Sequence, residues 1–299
     1  MIGYLIYPAT TPKQNNAFSW FCNAAKQNGI ELKVLFYNTP DVEQSFRELP
    51  LPDFVFLRGY HIPLSQWYES KGVKVINSTQ SMICCRDKYL TFLKLEEFGI
   101  NTPKTLPPFA PWKGDIPTFY ECAEKISAPF ILKQLFGSKG ENVYLIQNEE
   151  QYHLALQECC KVYLQRRDSL KLNTEFGTTA EEIERGSMVI VQKYIKESSG
   201  KDIRVWVCQN KVIGHILRYN DNSFKSNFAQ GGSYKEVVLP EIAALTAIKA
   251  AKATGLTFAG VDLLYTEDGD FSVCEVNGNP GFRTAKGDIP MQIFSNLEI

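Results

Sequence analysis

The sequence has almost no net charge. Lysines and arginines number 32 and aspartates and glutamates 33, a formal net charge of −1. No whole-molecule field therefore draws in a nucleic acid backbone or an anionic membrane, and any anion site has to be local. Long hydrophobic runs are missing too. The opening "MIGYLIYPATT" has no basic stretch before it; its apolar run is too short for a secretory core and far too short to span a bilayer, and it reads as a first strand. The eight cysteines show no CxxC spacing and include the adjacent pairs Cys84-Cys85 and Cys159-Cys160. Buried thiols of a cytoplasmic protein are the plain reading, a metal or redox role the other. The three histidines, His61, His153 and His215, form no Ser/His/Asp set. Internal repeats, low-complexity tracts and the residue order of a P-loop are also absent.

What remains is an ordinary globular composition, 44% hydrophobic and 22% charged over 299 residues, large enough for one large domain or two or three smaller ones. Four short apolar strands, "IGYLIYP", "LKVLFY", "DFVFLRG" and "VKVIN", alternate with helical stretches such as 17–27. That order predicts a small parallel sheet covered by helices, an α/β domain over residues 1–80. In "SMICCRDKYLTFLKLEEFGINTPKT" the spacing of Tyr89, Phe92 and Leu93, with Gly99 and Pro103 after them, predicts a helix. A proline-rich linker, a helix over 119–126, two strands around a glycine turn and a polar stretch 149–185 complete a central segment, 81–187. Strands dominate 188–299, with a helix over 240–254, so the chain reads as α/β first and α+β afterwards.

Chemistry-bearing residues gather in this second half. Asp268-Gly269 signals a two-residue hairpin, which places Asp262 opposite Glu275, with Asn277 on the face of Glu275. Two carboxylates and an amide oxygen converging make an all-oxygen site suited to Mg²⁺; the same spacing also suits a solvated polar face. Lys133 ends an apolar strand beside a Gly-Ser-Lys-Gly turn, Gly137 to Gly140, which either cradles phosphate or is a plain solvated loop. A three-residue turn at 209–211 would put Asp202, Arg204 and Arg218 on one face, whereas a two-residue turn would separate the arginines. Surface salt bridging would use the same residues.

Taken in order, "RDKYLTFLKLEEFGINTPKT", "APFILKQLFGSKGENV", "VQKYIKESSGKDIRVWV", "FKSNFAQGG", "GVDLL" and "CEVNGNPGF" resemble ATP-grasp enzymes of the RimK-type carboxylate–amine ligases, from about Arg86 to Gly287. The resemblance implies an ATP-grasp fold with an N-terminal Rossmann-like domain. It implies that Lys88 and Lys133 meet nucleotide phosphates under the turn of Gly137, Ser138 and Gly140. The stretch Gln192, Lys193, Tyr194 and Ile195 would read adenine, with Asp202 near the ribose and Lys225 and Asn227 in the same site. Asp262, Glu275 and Asn277 would hold Mg²⁺ or Mn²⁺, and Arg204 and Arg218 would face the transferred phosphate. The implied reaction forms an amide or peptide bond through an acyl phosphate, with an acid and an amino acid as partners, no nucleic acid or membrane, and a homo-oligomer as the possible assembly. A small-molecule kinase or a non-catalytic nucleotide-binding module are the rival readings. Two departures stand out: Lys225 replaces a usual arginine, and 149–185 is long for the family. Arg283 is placed to hold a substrate carboxylate, or is a plain surface residue.

Overall fold

The computed structural model describes residues 1–8, 11, 16–37, 42–171, 179–227, 231–282, 284–285 and 288–298, without the side chains of 42–44 and 170–171. Three sheets follow one another along the chain. The first is parallel, in the order β2-β1-β3-β4, from β1 (Ile2–Pro8), β2 (Glu31–Tyr37), β3 (Phe54–Leu57) and β4 (Lys74–Ile76). β3 is buried at all four positions, as expected of a parallel strand covered on both faces. Helix α1 (Asn16–Gln27) packs on it through Phe21, Ala24 and Ala25.

Helices α2 (Val42–Arg47) and α3 (Ile62–Ser70) complete this layer. The helix expected next is two helices, α4 (Thr79–Arg86) and α5 (Lys88–Glu97). Asp87 stands between them in an extended conformation and its side chain caps the backbone N–H of Tyr89 and Leu90, so it starts a new helix where periodicity shows none. Gly99 ends α5 at φ +63°.

The three-stranded sheet, β6-β5-β7, is antiparallel and built from β5 (Phe130–Gln134), β6 (Val143–Ile146) and β7 (Val189–Lys193). It is covered by α6 (Phe119–Ile126) and α7 (Glu149–Lys171), with Cys122, Phe130, Leu132, Tyr152 and Val191 in its own core. The polar stretch 149–185 thus forms α7 and most of α8 (Ala180–Ser187).

The five-stranded antiparallel sheet runs β10-β9-β8-β11-β12, from β8 (Lys201–Cys208), β9 (Lys211–Tyr219), β10 (Ser233–Lys235), β11 (Phe258–Tyr265) and β12 (Phe271–Asn277). Its two faces differ sharply. Ile203, Val205, Val207, Val261, Leu263 and Val273 pack against four fully buried alanines of α9 (Glu241–Ala253), and Leu95 and Ile100 join this core, so α5 belongs to it by packing. The opposite face carries the charges, and beyond it Trp206, Ile216 and Phe258 meet the parallel sheet and α10 (Ile289–Asn296). All eight cysteines are free. Among the described residues no helix is long and apolar enough to cross a membrane.

Candidate active site

Register places the charged face. On adjacent strands Arg204 pairs with Asp262, and Asp262 with Glu275, so the three share one row and one face. Asp202 pairs with Arg218 in β8 and β9. The hairpin turns differ from expectation. The β11–β12 turn has three residues, Glu267 to Gly269, with Gly269 at φ +79°, and a bulge at Cys274 restores the Asp262–Glu275 pair. The β8–β9 turn has two residues, and a bulge at Ile213 brings both arginines to the same face.

These groups are tightly paired. Arg218 donates from Nε and Nη2 to the two oxygens of Asp202 at 2.7 and 2.6 Å, and from Nη2 to Asp262 Oδ2 at 2.9 Å. Arg204 grips Asp262 with Nε and Nη2, the latter at 2.8 Å from Oδ2. Burial raises Asp202, with Arg218 and the Ser226 hydroxyl, 2.6 Å from Oδ2, opposing it. At Asp262 burial also acts upward, but Arg204 and Arg218 outweigh it and hold the carboxyl below its ordinary value. Arg218, between two acids, is held above its ordinary value although burial works against it.

A cleft between the three- and five-stranded sheets faces this array. It brings together Lys88, Lys133, Gly137, Ser138, Gly140, Gln192, Lys193, Tyr194, Ile195, Asp202, Lys225, Asn227, Asp262 and Glu275. Lys133 is buried and donates to Gln192 Oε1 at 2.8 Å, and Gln192 donates to Thr105. Lys88 donates to the Gly137 carbonyl at 2.8 Å; burial pushes it down to about 8, Glu275 opposing and Lys133 adding to the shift. Lys225 reaches the Gly140 carbonyl at 3.0 Å, so the lysine that departs from the family pattern ties its loop to the glycine turn, and burial lowers its pKa.

Arg204, Arg218 and Asn277 lie in an adjoining cavity rather than in the cleft, and a third cavity opens beside α4; all three meet at Ser138 and Glu275. Asp202, expected near a ribose, has both oxygens committed to Arg218 and Ser226. Arg283 lies outside the described residues. Sequence reasoning missed Ser226 and Arg58, which lines the adjoining cavity. The signal for Arg58 was a charged residue directly after a wholly apolar strand.

The donor set fits a hard cation. The Glu275 side chain makes no hydrogen bond or ion pair with the described residues, and Asn277 donates through Nδ2 to the Gly260 carbonyl at 3.4 Å, which leaves its amide oxygen without a donor. Asp262 is engaged by the arginines and would have to share. Among the described residues no three His, Cys, Asp or Glu cluster as a self-sufficient cage.

This fold, with a lysine-lined cleft between two antiparallel sheets, is the ATP-grasp fold. Solved structures that share it include D-cycloserine synthetase (TM-score 0.70, 15% identity, 99% of this chain and 98% of that one) and the D-alanine–D-alanine ligase of Bacillus anthracis (0.69, 18%, 96% and 90%). The description RimK-like ATP-grasp domain matches residues 85–297, and the chain belongs to that family. It is 33% identical over 224 residues to N-acetylaspartylglutamate synthase A of Mus musculus, covering 74% of this chain and 52% of that protein. To a probable alpha-L-glutamate ligase of Shewanella amazonensis it is 30% identical over 280 residues, covering 88% and 84%. The chain spans about half the length of the mammalian relatives it matches.

Proposed function

We propose that the chain is an ATP-dependent ligase that joins a carboxylic acid to an amine, with glutamate the leading candidate for the amine, and releases ADP and phosphate. The observation that carries this reading is the meeting of three cavities at Ser138 and Glu275, one suited to a nucleotide and two left for an acid and an amine. The relatives' names, glutamate ligase and acylglutamate synthase, support the choice of amine.

In this scheme Lys88 and Lys133 neutralise the triphosphate, and the glycine turn closes over it. Tyr194, which follows β7, makes no backbone hydrogen bond with the described residues, leaving its peptide groups to meet an adenine edge. The acid's oxygen attacks the γ-phosphorus and the bond to ADP breaks. The amine, having lost its ammonium proton, then attacks the acyl carbon and phosphate departs. Arg204 and Arg218, oriented by Asp262 and Asp202, hold positive charge where phosphate charge accumulates. A bound Mg²⁺ or Mn²⁺ would be held by Glu275, Asn277 and a shared Asp262, and would screen the phosphate oxygens facing the acid.

Screening acids and amino acids pairwise for ADP release, with mass analysis of products, tests the reading. ADP is expected only when acid and amine are both present; a stable phosphorylated product from one substrate, or binding of ATP without turnover in any mixture, refutes it. Glu275→Gln should lower turnover at least about 100-fold with an unchanged melting temperature, because the side chain has no partner in the fold.

A further inference from the structure

Arg58 follows β3 directly and is 9% exposed. Its Nη2 donates to the Pro280 carbonyl at 2.9 Å, while buried Nε and Nη1 find no acceptor. Four aromatic rings surround the guanidinium, those of Phe21, Phe56, Phe258 and Phe282, with centroids 5.5–5.8 Å away. Among the described residues no carboxylate pairs with it. The other two arginines of the site, half-buried Arg204 and buried Arg218, are neutralised, Arg204 by Asp262 and Arg218 by Asp202 and Asp262. A buried cation without a counter-ion is costly to a fold, and the rings return part of that cost only. Burial accordingly pulls Arg58 below its ordinary pKa, opposed by Tyr7, whose hydroxyl also hydrogen-bonds the guanidinium.

Topology points to the same place independently. In the order β2-β1-β3-β4 the connections diverge between β1 and β3, and open parallel sheets bind ligands in the crevice beyond the strand ends at such a point. Tyr7 near the end of β1, Arg58 just past β3 and Ala17 in the first turn of α1 all line the cavity that also holds Arg204, Arg218 and Asn277. The helix's positive end thus adds to the field there. Pro280, which Arg58 holds, is three residues beyond Asn277 on the strand that carries Glu275.

We infer that Arg58 is the centre of a carboxylate-binding subsite for a spectator carboxylate, one that does not react, on a substrate whose reacting group lies toward Glu275 and Arg204. The subsite selects dicarboxylates over monocarboxylates of the same size. That the carboxylate belongs to a substrate rests on the ligase reading; that an anion binds at Arg58 does not. The carboxylate belongs either to the acid or to the amine, and matched pairs separate the two.

The test is calorimetric titration of the full chain with Mg²⁺ and a non-hydrolysable ATP analogue. N-acetylaspartate is compared with N-acetylasparagine for the acid, and glutamate with glutamine and isoglutamine for the amine. One dicarboxylate should bind at least about tenfold more tightly than its amide, the range of one charge-assisted hydrogen bond. Arg58→Met should erase that preference while the nucleotide analogue binds as before. Arg58→Lys, which keeps charge but not the planar fork, should retain part of it, and with the unmutated chain it decides the matter if Arg58→Met does not fold. Equal binding of every acid and its amide to the unmutated chain, or a preference unchanged in Arg58→Met or Arg58→Lys, overturns the inference. Loss of ADP release with selective binding intact sinks the ligase reading alone.

Discussion

At Arg218 a single side chain pairs with two buried acids, Asp202 and Asp262, the second of them shared with Arg204. Its removal leaves Asp202 and Asp262 facing each other without it, in a site where the three residues are 3–8% exposed. Breaking a buried pair by deleting one partner typically costs about 3–5 kcal/mol, because the remaining charge is uncompensated. The pH dependence has a definite sign. In the unmutated chain Asp262 is held below its ordinary value by Arg204 and Arg218 against burial, so its contribution is present at neutral pH and fades only as pH falls through that lowered pKa. Without Arg218, Asp262 keeps Arg204, but the burial that already raises Asp202 is opposed by Ser226 alone, so the folded-state pKa of Asp202 moves further above the unfolded one and stability falls as pH rises through it. Arg218→Ala is therefore expected to lose about 3–5 kcal/mol near pH 8 and less at pH 5. Urea unfolding at the two pH values measures this; an equal deficit at both would mean that the acids are not the cause.

Among the elements, the two hairpins show how much of the site was legible and where legibility stopped. The pairing of Asp262 with Glu275 and the common face of Asp202, Arg204 and Arg218 follow from period-two alternation, which the residue types already display. Both turn lengths differ from expectation by one residue, and in each hairpin one bulged residue, Cys274 or Ile213, cancels the difference. A bulge adds a residue without a compositional mark, and cysteine or isoleucine suits either face, so neither was visible. Asp87 was likewise readable as a cap only once the chain direction on both sides was known, and Arg58 was visible only as a charge after a buried strand. Register is a better account of the Ile213 bulge than curvature. Deleting Ile213 keeps Trp206 opposite Gly214 and Asp202 opposite Arg218, so that variant should keep its activity and lose about 1 kcal/mol or more of packing. Inserting one alanine after His215 moves Arg218 toward the apolar face under α9 and should abolish activity and soluble expression. Equal damage from deletion and insertion, read by ADP release and solubility, would show that the bend itself matters.

Across the whole molecule, the parallel and five-stranded sheets share one core, in which Phe21, Phe56 and Ile76 touch residues such as Trp206, Phe258 and Phe294. The three-stranded sheet has a separate one, joined to the rest near the cleft by polar links, Arg185 with Asp87 and Lys225 with Gly140. The molecule is thus one body formed by two sheets, with a second body across the cleft. Asn77, 2% exposed, pins the first body together. Its amide donates to the carbonyls of Phe258 and Gly278, each at 2.7 Å, and accepts from the Phe258 N–H at 2.8 Å. Both Phe258 contacts tie the end of the parallel sheet to the start of β11, and Gly278 directly follows the strand of Glu275 and Asn277. Asn77→Ala leaves the two buried backbone groups of Phe258 and the part-buried Gly278 carbonyl without this partner, the buried ones at about 1–3 kcal/mol each where no water replaces it. Because the loss falls between sheets rather than within one, cooperativity should suffer along with stability. Scanning calorimetry of Asn77→Ala is expected to show a lowered, broadened or divided transition, and KM for the acid should rise as the cavity between the sheets loosens. A single transition at the original temperature would show that the shared apolar core alone holds the two sheets in register.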